Sequence, residues 1–279
     1  MTGAQAIHSV LSDAMGADAR VQVLGEALPL SPAASGLMEK HTDQVHLLPA
    51  ADATLVGVAV GMAIGGHRPV VELAGTTALW GALQQLGQEA AATSGEFSAP
   101  VIVRVPVGAE GFDPTPLLTA VPGLTVACGA TPDHAAGLLK AALRHSGPTV
   151  LLESVQMLAE HSSEAAEVSL GEAEVVREGS HVTILAWGEG IQAADKAANI
   201  LAGEGISAEI VDLRSLAPLD AQTIGASIRK TGRVVLTGEG AAALTTAVQS
   251  AFLRLESPPT IAEASASRIV EAARTAVHY

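Results

Sequence analysis

Asp52 stands alone at the entrance of an apolar segment. In "LLPAADATLVGVAVGMAIGGHRPVVELAG", residues 47–75, it precedes fourteen residues without charge, a run that ends at His67-Arg68. A carboxyl group withdrawn from water holds its proton more tightly, so an acid in this setting suits proton exchange near neutral pH. The same position also suits a plain helix N-cap, whose side chain accepts free backbone N–H donors. Spacing alone leaves both readings open. Gly57, Gly61 and Gly65 recur every fourth residue, a bare helix face that lets another helix approach closely, within the chain or from a second subunit.

Other chemistries find little support. "GVAVGMAIGG" does not follow a strand and turn in the frame of a dinucleotide fingerprint, and there is no P-loop. The nine histidines show no metal-ligand spacing, and no GxSxG nucleophile elbow occurs. His46, His67 and His134 sit singly near expected element ends, as solvated or capping histidines do. Cys128, the single cysteine, falls in "LTVACGA" and reads as a core residue.

The elements that must position Asp52 follow from the apolar pattern. A helix over about Ala4 to Gly16 leads to the strand "RVQVLGEAL", which ends at Gly25-Glu26. A second strand, "QVHLLPA", leads to the helix from Asp52 to Gly66. "PVVELA", the helix "TTALWGALQQLGQEAAAT", "APVIVRVPVG", "LTVACGA", a helix capped by Thr131 and "GPTVLLES" complete a first unit. A polar connection then leads to a second alternation. It runs through "HVTILAWG", the helix "GIQAADKAANILAGEG", "ISAEIVDL", a helix from Asp220 to Thr231, "RVVLTGEG" and a helix beginning near Ala243. Short apolar strands alternating with helices predict an α/β protein of two doubly wound parallel-sheet domains. The domains are expected at 1–155 and 178–279, with residues 156–177 as linker.

Composition narrows the partners. With 15 basic and 29 acidic residues the net charge is −14, which disfavours nucleic acid and anionic membrane surfaces. Aromatics make up 2% of a chain that is 48% hydrophobic, so aliphatic side chains must fill the core. A lone cysteine suits a reducing compartment. No apolar run reaches the roughly 18 residues of a membrane span, and the N-terminus lacks a signal-peptide pattern. The expectation is a soluble, cytoplasmic protein.

Taken in order, several motifs resemble one family. They are "VQVLGEAL", "LLPAADATLVGVAVGMAIGGHRPVVEL", "ALQQLGQEAA", "PVIVRVPVG", "PGLTVACGATPDHAAGLLKAALRHSGPTVLLES", "VTILAWGEGIQAADKAANILAGEGISAEIVDLRSLAPLD" and "TGRVVLTGEG". The chain is similar through most of its length to the beta subunit of the 2-oxo acid dehydrogenase decarboxylating component. That family is thiamine diphosphate-dependent and transketolase-like, with a pyrimidine-binding domain followed by a transketolase C-terminal domain. The resemblance implies that Asp52 hydrogen-bonds the aminopyrimidine ring of thiamine diphosphate and promotes the tautomer that deprotonates the thiazolium carbon. It also implies cofactor contacts at Glu26 and along "LAGTTALW", at Gly75, Thr76, Thr77 and Trp80.

The chain departs from the family at these positions. The family has glutamate where Asp52 stands, and aromatic residues after the third strand where this chain reads "LAGTTALW", so ring stacking falls to small residues or to a displaced Trp80. Its histidine-bearing loop is shortened here to "AEGFDPTPLLTAVPG", and part of its last strand and tail is missing. No "GDG" with a paired asparagine, the family's magnesium and diphosphate motif, occurs; in split members it sits on an alpha subunit. The resemblance therefore implies an alpha partner that holds magnesium and diphosphate, contact between two beta subunits, and an acyl-carrier acceptor (lipoyl or carrier protein). Three functions are compatible: a catalytic beta subunit acting on a 2-oxo acid or ketose, half of a split transketolase, or a degenerate scaffold subunit that regulates an active partner.

Overall fold

A computed structural model describes residues 1–49, 52–87, 99–108, 112–238, 240–242, 244, 245, 248, 255 and 258–278, except the side chain of Asp52. The chain forms two compact units, Met1–Leu170 and Gly171–Tyr279.

The first unit opens with α1 (Gly3–Ala17), whose start carries a capping box: Thr2 Oγ1 accepts from the Gln5 amide, and the Gln5 side chain accepts from the Thr2 amide. There follow β1 (Val21–Gly25), α2 (Leu37–Lys40), β2 (Val45–Leu47), α3 (Asp52–Ile64), β3 (Arg68–Glu72), α4 (Leu79–Gln84) and β4 (Ile102–Val107). Next come α5 (Thr115–Thr119), β5 (Thr125–Cys128), α6 (Pro132–Arg144), β6 (Thr149–Ser154) and α7 (Val155–Ala159). The six strands run parallel in the order β5-β6-β4-β3-β1-β2.

A parallel sheet must be covered on both faces. Val23, Val70, Ile102 and Leu151 share one core with α1, α2 and α6. Their neighbours Leu24, Val71 and Val103 point the other way and are also buried. On that second face α3 packs against β3 and α4. Leu55, Val56, Ala59, Val60 and Ala63 form its inner face, while Val58, Gly61, Ile64 and Gly65 are exposed. The glycine face is therefore divided. A Cβ on Gly57 would come within 3.2 Å of Gln85 Oε1, so Gly57 serves packing within the chain, whereas one on Gly61 would meet nothing within 4 Å among the described residues.

The second unit contains β7 (Glu174–Arg177), β8 (Val182–Ala186), α8 (Gly190–Gly203), β9 (Ala208–Asp212), β10 (Ser215–Ala217), α9 (Ala221–Thr231), β11 (Val234–Thr237), β12 (Thr260–Ala262) and α10 (Ala266–His278). Five strands form a sheet in the order β12-β11-β8-β9-β7, in which β7 alone is antiparallel. Ile184, Ile210 and Val235 share a core with Ile269 and Leu201 of the helices α10 and α8. The sheets are thus mostly parallel, with one antiparallel edge at β7, inside the stretch read as connection. Its residues are largely exposed, which an antiparallel edge strand tolerates and a buried parallel strand does not. The helix expected near Ala243 is present at the residues described there, 241, 242, 244, 245 and 248, with Ala241, Leu244 and Val248 buried, while the second half of the helix expected after β3 lies outside the described residues. Among the described residues no helix is long and apolar enough to cross a membrane.

Candidate active site

The connection from β1 runs outward to β2, and the chain then returns to the other side of β1 to form β3. Such a reversal opens a crevice beyond the carboxyl ends of the two strands, where ligands of open α/β sheets bind. A cavity of about 610 Å³ lies at this end of the sheet, a volume typical of small-molecule sites. Leu28, Leu55, Leu73 and Pro106 form apolar walls. Gly25 allows the tight closure of this wall, because a Cβ there would stand 2.6 Å from Leu28 Cδ2 and 3.1 Å from the Glu72 carbonyl oxygen.

Polar groups converge on the same cavity. Arg104, midway along β4, is 3% exposed and makes two bonds to Glu153 of β6: Nε to Oε1 at 3.0 Å and Nη2 to Oε2 at 2.7 Å. Its remaining amino group donates to Glu72 Oε2, on β3, at 2.5 Å. Glu72 pairs in register with Arg104, so the contact is a direct cross-strand one. Burial opposes the charge of Arg104, but the carboxylates of Glu153 and Glu72 more than offset it and raise the guanidinium's proton affinity above its ordinary value. A buried ion is tolerated only when paired and hydrogen-bonded in this way.

The expected site residues divide around this cavity. Glu26, just past β1, lines it and is exposed. Asp52 is the first residue of α3, one turn before the wall residue Leu55; three-residue spacing puts both positions on one helix face. Gly75 follows Ala74, itself a wall residue, in extended backbone. Thr76 is buried and its Oγ1 accepts from the Phe112 amide at 3.2 Å. Thr77 is exposed. Trp80 is 61% exposed and stacks on Phe112, with ring centroids 4.7 Å apart. Gly75, Thr76, Thr77 and Trp80 are not among the cavity walls; Thr76 and Trp80 instead meet the segment that follows β4. Arg104, Glu72 and Glu153 escaped the sequence reading. Their signal was a single charge inside each of three apolar strands, "VVEL", "VIVRVPV" and "TVLLES".

The residues present fit half of thiamine diphosphate. An aminopyrimidine has apolar faces and hydrogen-bond donors on its edge, and the cavity offers apolar walls with carboxylates. A diphosphate needs cations or helix N-termini. The one cation among the described wall residues, Arg104, is already committed to two carboxylates.

Comparison with known proteins agrees with this arrangement. Residues 1–160 match the transketolase pyrimidine binding domain and residues 171–276 the transketolase C-terminal domain. The pyruvate dehydrogenase E1 component subunit beta of Acholeplasma laidlawii is 33% identical over 91% of this chain and 86% of its own. The chain belongs to the transketolase-like E1 beta-subunit family. This family comprises thiamine diphosphate-dependent 2-oxo acid dehydrogenase components that work with an alpha subunit. The beta subunit of acetoin:2,6-dichlorophenolindophenol oxidoreductase from Cupriavidus necator is 37% identical over 80% of this E1 beta-type chain and 70% of its own. A solved structure titled "Split gene transketolase, inactive beta4 tetramer" has the same fold, with a TM-score of 0.87 and 22% identity over 100% of this chain and 98% of that one.

Proposed function

We propose that the cavity beyond β1 and β3 receives the aminopyrimidine half of thiamine diphosphate and that Asp52 is its acid–base partner. The observation that carries this reading is the α3 N-terminus, with Asp52 one turn from the cavity wall at Leu55, beside a crevice whose described charged groups are Glu26, Glu72, Glu153 and the paired Arg104. When bound, thiamine diphosphate supplies an electron sink for the charge left by carbon–carbon cleavage. Asp52 shares a proton with the ring nitrogen, Glu26 contributes a carboxylate at the mouth, and Leu28, Leu55 and Leu73 keep water from the ring. The reaction is decarboxylation of a 2-oxo acid or cleavage of a ketose, with the acyl or ketol unit passed to an acceptor such as a lipoyl or carrier protein.

An alpha subunit supplies the magnesium and diphosphate site, since the cavity has no uncommitted cation among its described walls. The exposed Val58, Gly61 and Ile64 of α3, with Gly65 just after it, form a contact between two beta subunits. Titration calorimetry tests the division of labour. Thiamine diphosphate with magnesium should bind the mixture of this chain and its alpha partner, and bind this chain alone weakly or not at all. Micromolar binding to the isolated chain would show that the diphosphate anchor lies here.

A further inference from the structure

Only one of the two Glu72 carboxylate oxygens is used within the described protein. Oε2 accepts from Arg104, while Oε1 accepts no hydrogen bond among the described residues. The Glu72 side chain is 15% exposed, against 4% for Glu153, and lines the cavity. Arg104 holds it there from the neighbouring strand, and Glu153 anchors Arg104 through the two-bond fork described above. A carboxylate oxygen fixed by a buried guanidinium and open to a mostly apolar cavity is a preorganised acceptor. Among the described wall residues three carboxylates, Glu26, Glu72 and Glu153, stand against Arg104, so this wall repels an anion and favours a neutral or cationic donor.

We infer that Glu72 is a second acceptor in this cavity, beside the acid–base position, for an amino or hydroxyl donor on the group that fills it. Arg104 is its positioning residue. The inference rests on the cavity assignment made above. The donor is the amino group of the cofactor's pyrimidine or a hydroxyl of the substrate, and the two sources give different results.

The test uses the complex of this chain with its alpha partner and magnesium. Glu72→Gln keeps an oxygen for Arg104 but turns a donor, its NH₂, toward the cavity. Loss of a hydrogen bond to a charged acceptor weakens binding by about tenfold or more. If the donor is the pyrimidine amino group, calorimetry shows that loss for thiamine diphosphate. The analogue with an oxo group in place of the amino group then binds Glu72→Gln more tightly than it binds wild type. If the donor is a substrate hydroxyl, cofactor affinity holds and KM for the hydroxyl-bearing substrate rises about tenfold with kcat little changed. Glu72→Asp, which keeps the charge but withdraws it, gives the same direction of change, and its thermal unfolding reports on the fold. Cofactor affinity, analogue preference and KM all within twofold of wild type overturn the inference while leaving the cavity assignment intact. Failure of the wild-type complex to bind thiamine diphosphate overturns both.

Discussion

Arg104→Met should be among the most destabilising single changes in the first unit. Methionine keeps much of the volume but removes the charge between Glu72 and Glu153. Arg104 is 3% exposed and Glu153 4%, so the Glu153 carboxylate left behind cannot recover hydration without opening the strand ends, while Glu72, 15% exposed at the cavity, recovers only part of its own. Breaking a buried pair in this way costs about 3–5 kcal/mol, against a total stability of roughly 5–15 kcal/mol for an ordinary domain. The exposed pair Arg177–Asp195 is the internal control, because Arg177→Ala should cost under about 1 kcal/mol. Urea unfolding followed by circular dichroism, at pH 8 and pH 5, supplies the measurement. Without the guanidinium, buried carboxylates shed their charge by binding protons, so the folded variant binds more protons than its unfolded chain. Its deficit is therefore largest at pH 8 and shrinks toward pH 5. Replacing all three residues with apolar ones should recover most of the loss. A deficit for Arg104→Met below 1 kcal/mol, or one equal at both pH values, would refute the reasoning.

Gly61→Leu should leave the thermal stability of the isolated chain nearly unchanged, since a Cβ there meets nothing within 4 Å among the described residues, yet weaken beta–beta association. Light scattering that finds the variant as associated as wild type would remove α3 from the interface. A second expectation concerns acid. Burial lowers the pKa of His41, helped by Lys40 and His8, and burial lowers that of His145, helped by Arg68. Both stay neutral in the fold where the unfolded chain takes up protons, so their contribution is present above about pH 6.5 and is lost as pH falls. The stability of His41→Gln/His145→Gln should therefore decline less between pH 7 and 5.5 than that of wild type; equal slopes in denaturant titrations would count against this.

Local signals located most of the strands and helices. The apolar runs around Val23, Val70, Ile102 and Val126 became parallel strands, and Thr131 and Asp220 cap the helices they were expected to start. β7 was hidden because its residues are exposed and show no alternation, so nothing in "EVVR" separates an edge strand from a loop. The Glu72–Arg104–Glu153 cluster was hidden for another reason. Its members are far apart in the chain and meet only because the strand order places β4 between β3 and β6. Trp80 illustrates a third limit: the sequence shows an aromatic residue after β3, but its partner Phe112 lies beyond the next strand.

The central claim is that Asp52 activates the aminopyrimidine, and hydrogen–deuterium exchange at the thiazolium carbon of bound thiamine diphosphate tests it most directly. The measurement is made on the complex with the alpha partner, comparing wild type with Asp52→Asn. Asn caps a helix about as well as Asp, so folding should hold, while the loss of a positioned acid–base group should slow exchange by about two to four orders of magnitude. Exchange at the wild-type rate in a folded, cofactor-loaded Asp52→Asn complex would contradict the account and leave Asp52 as a helix cap.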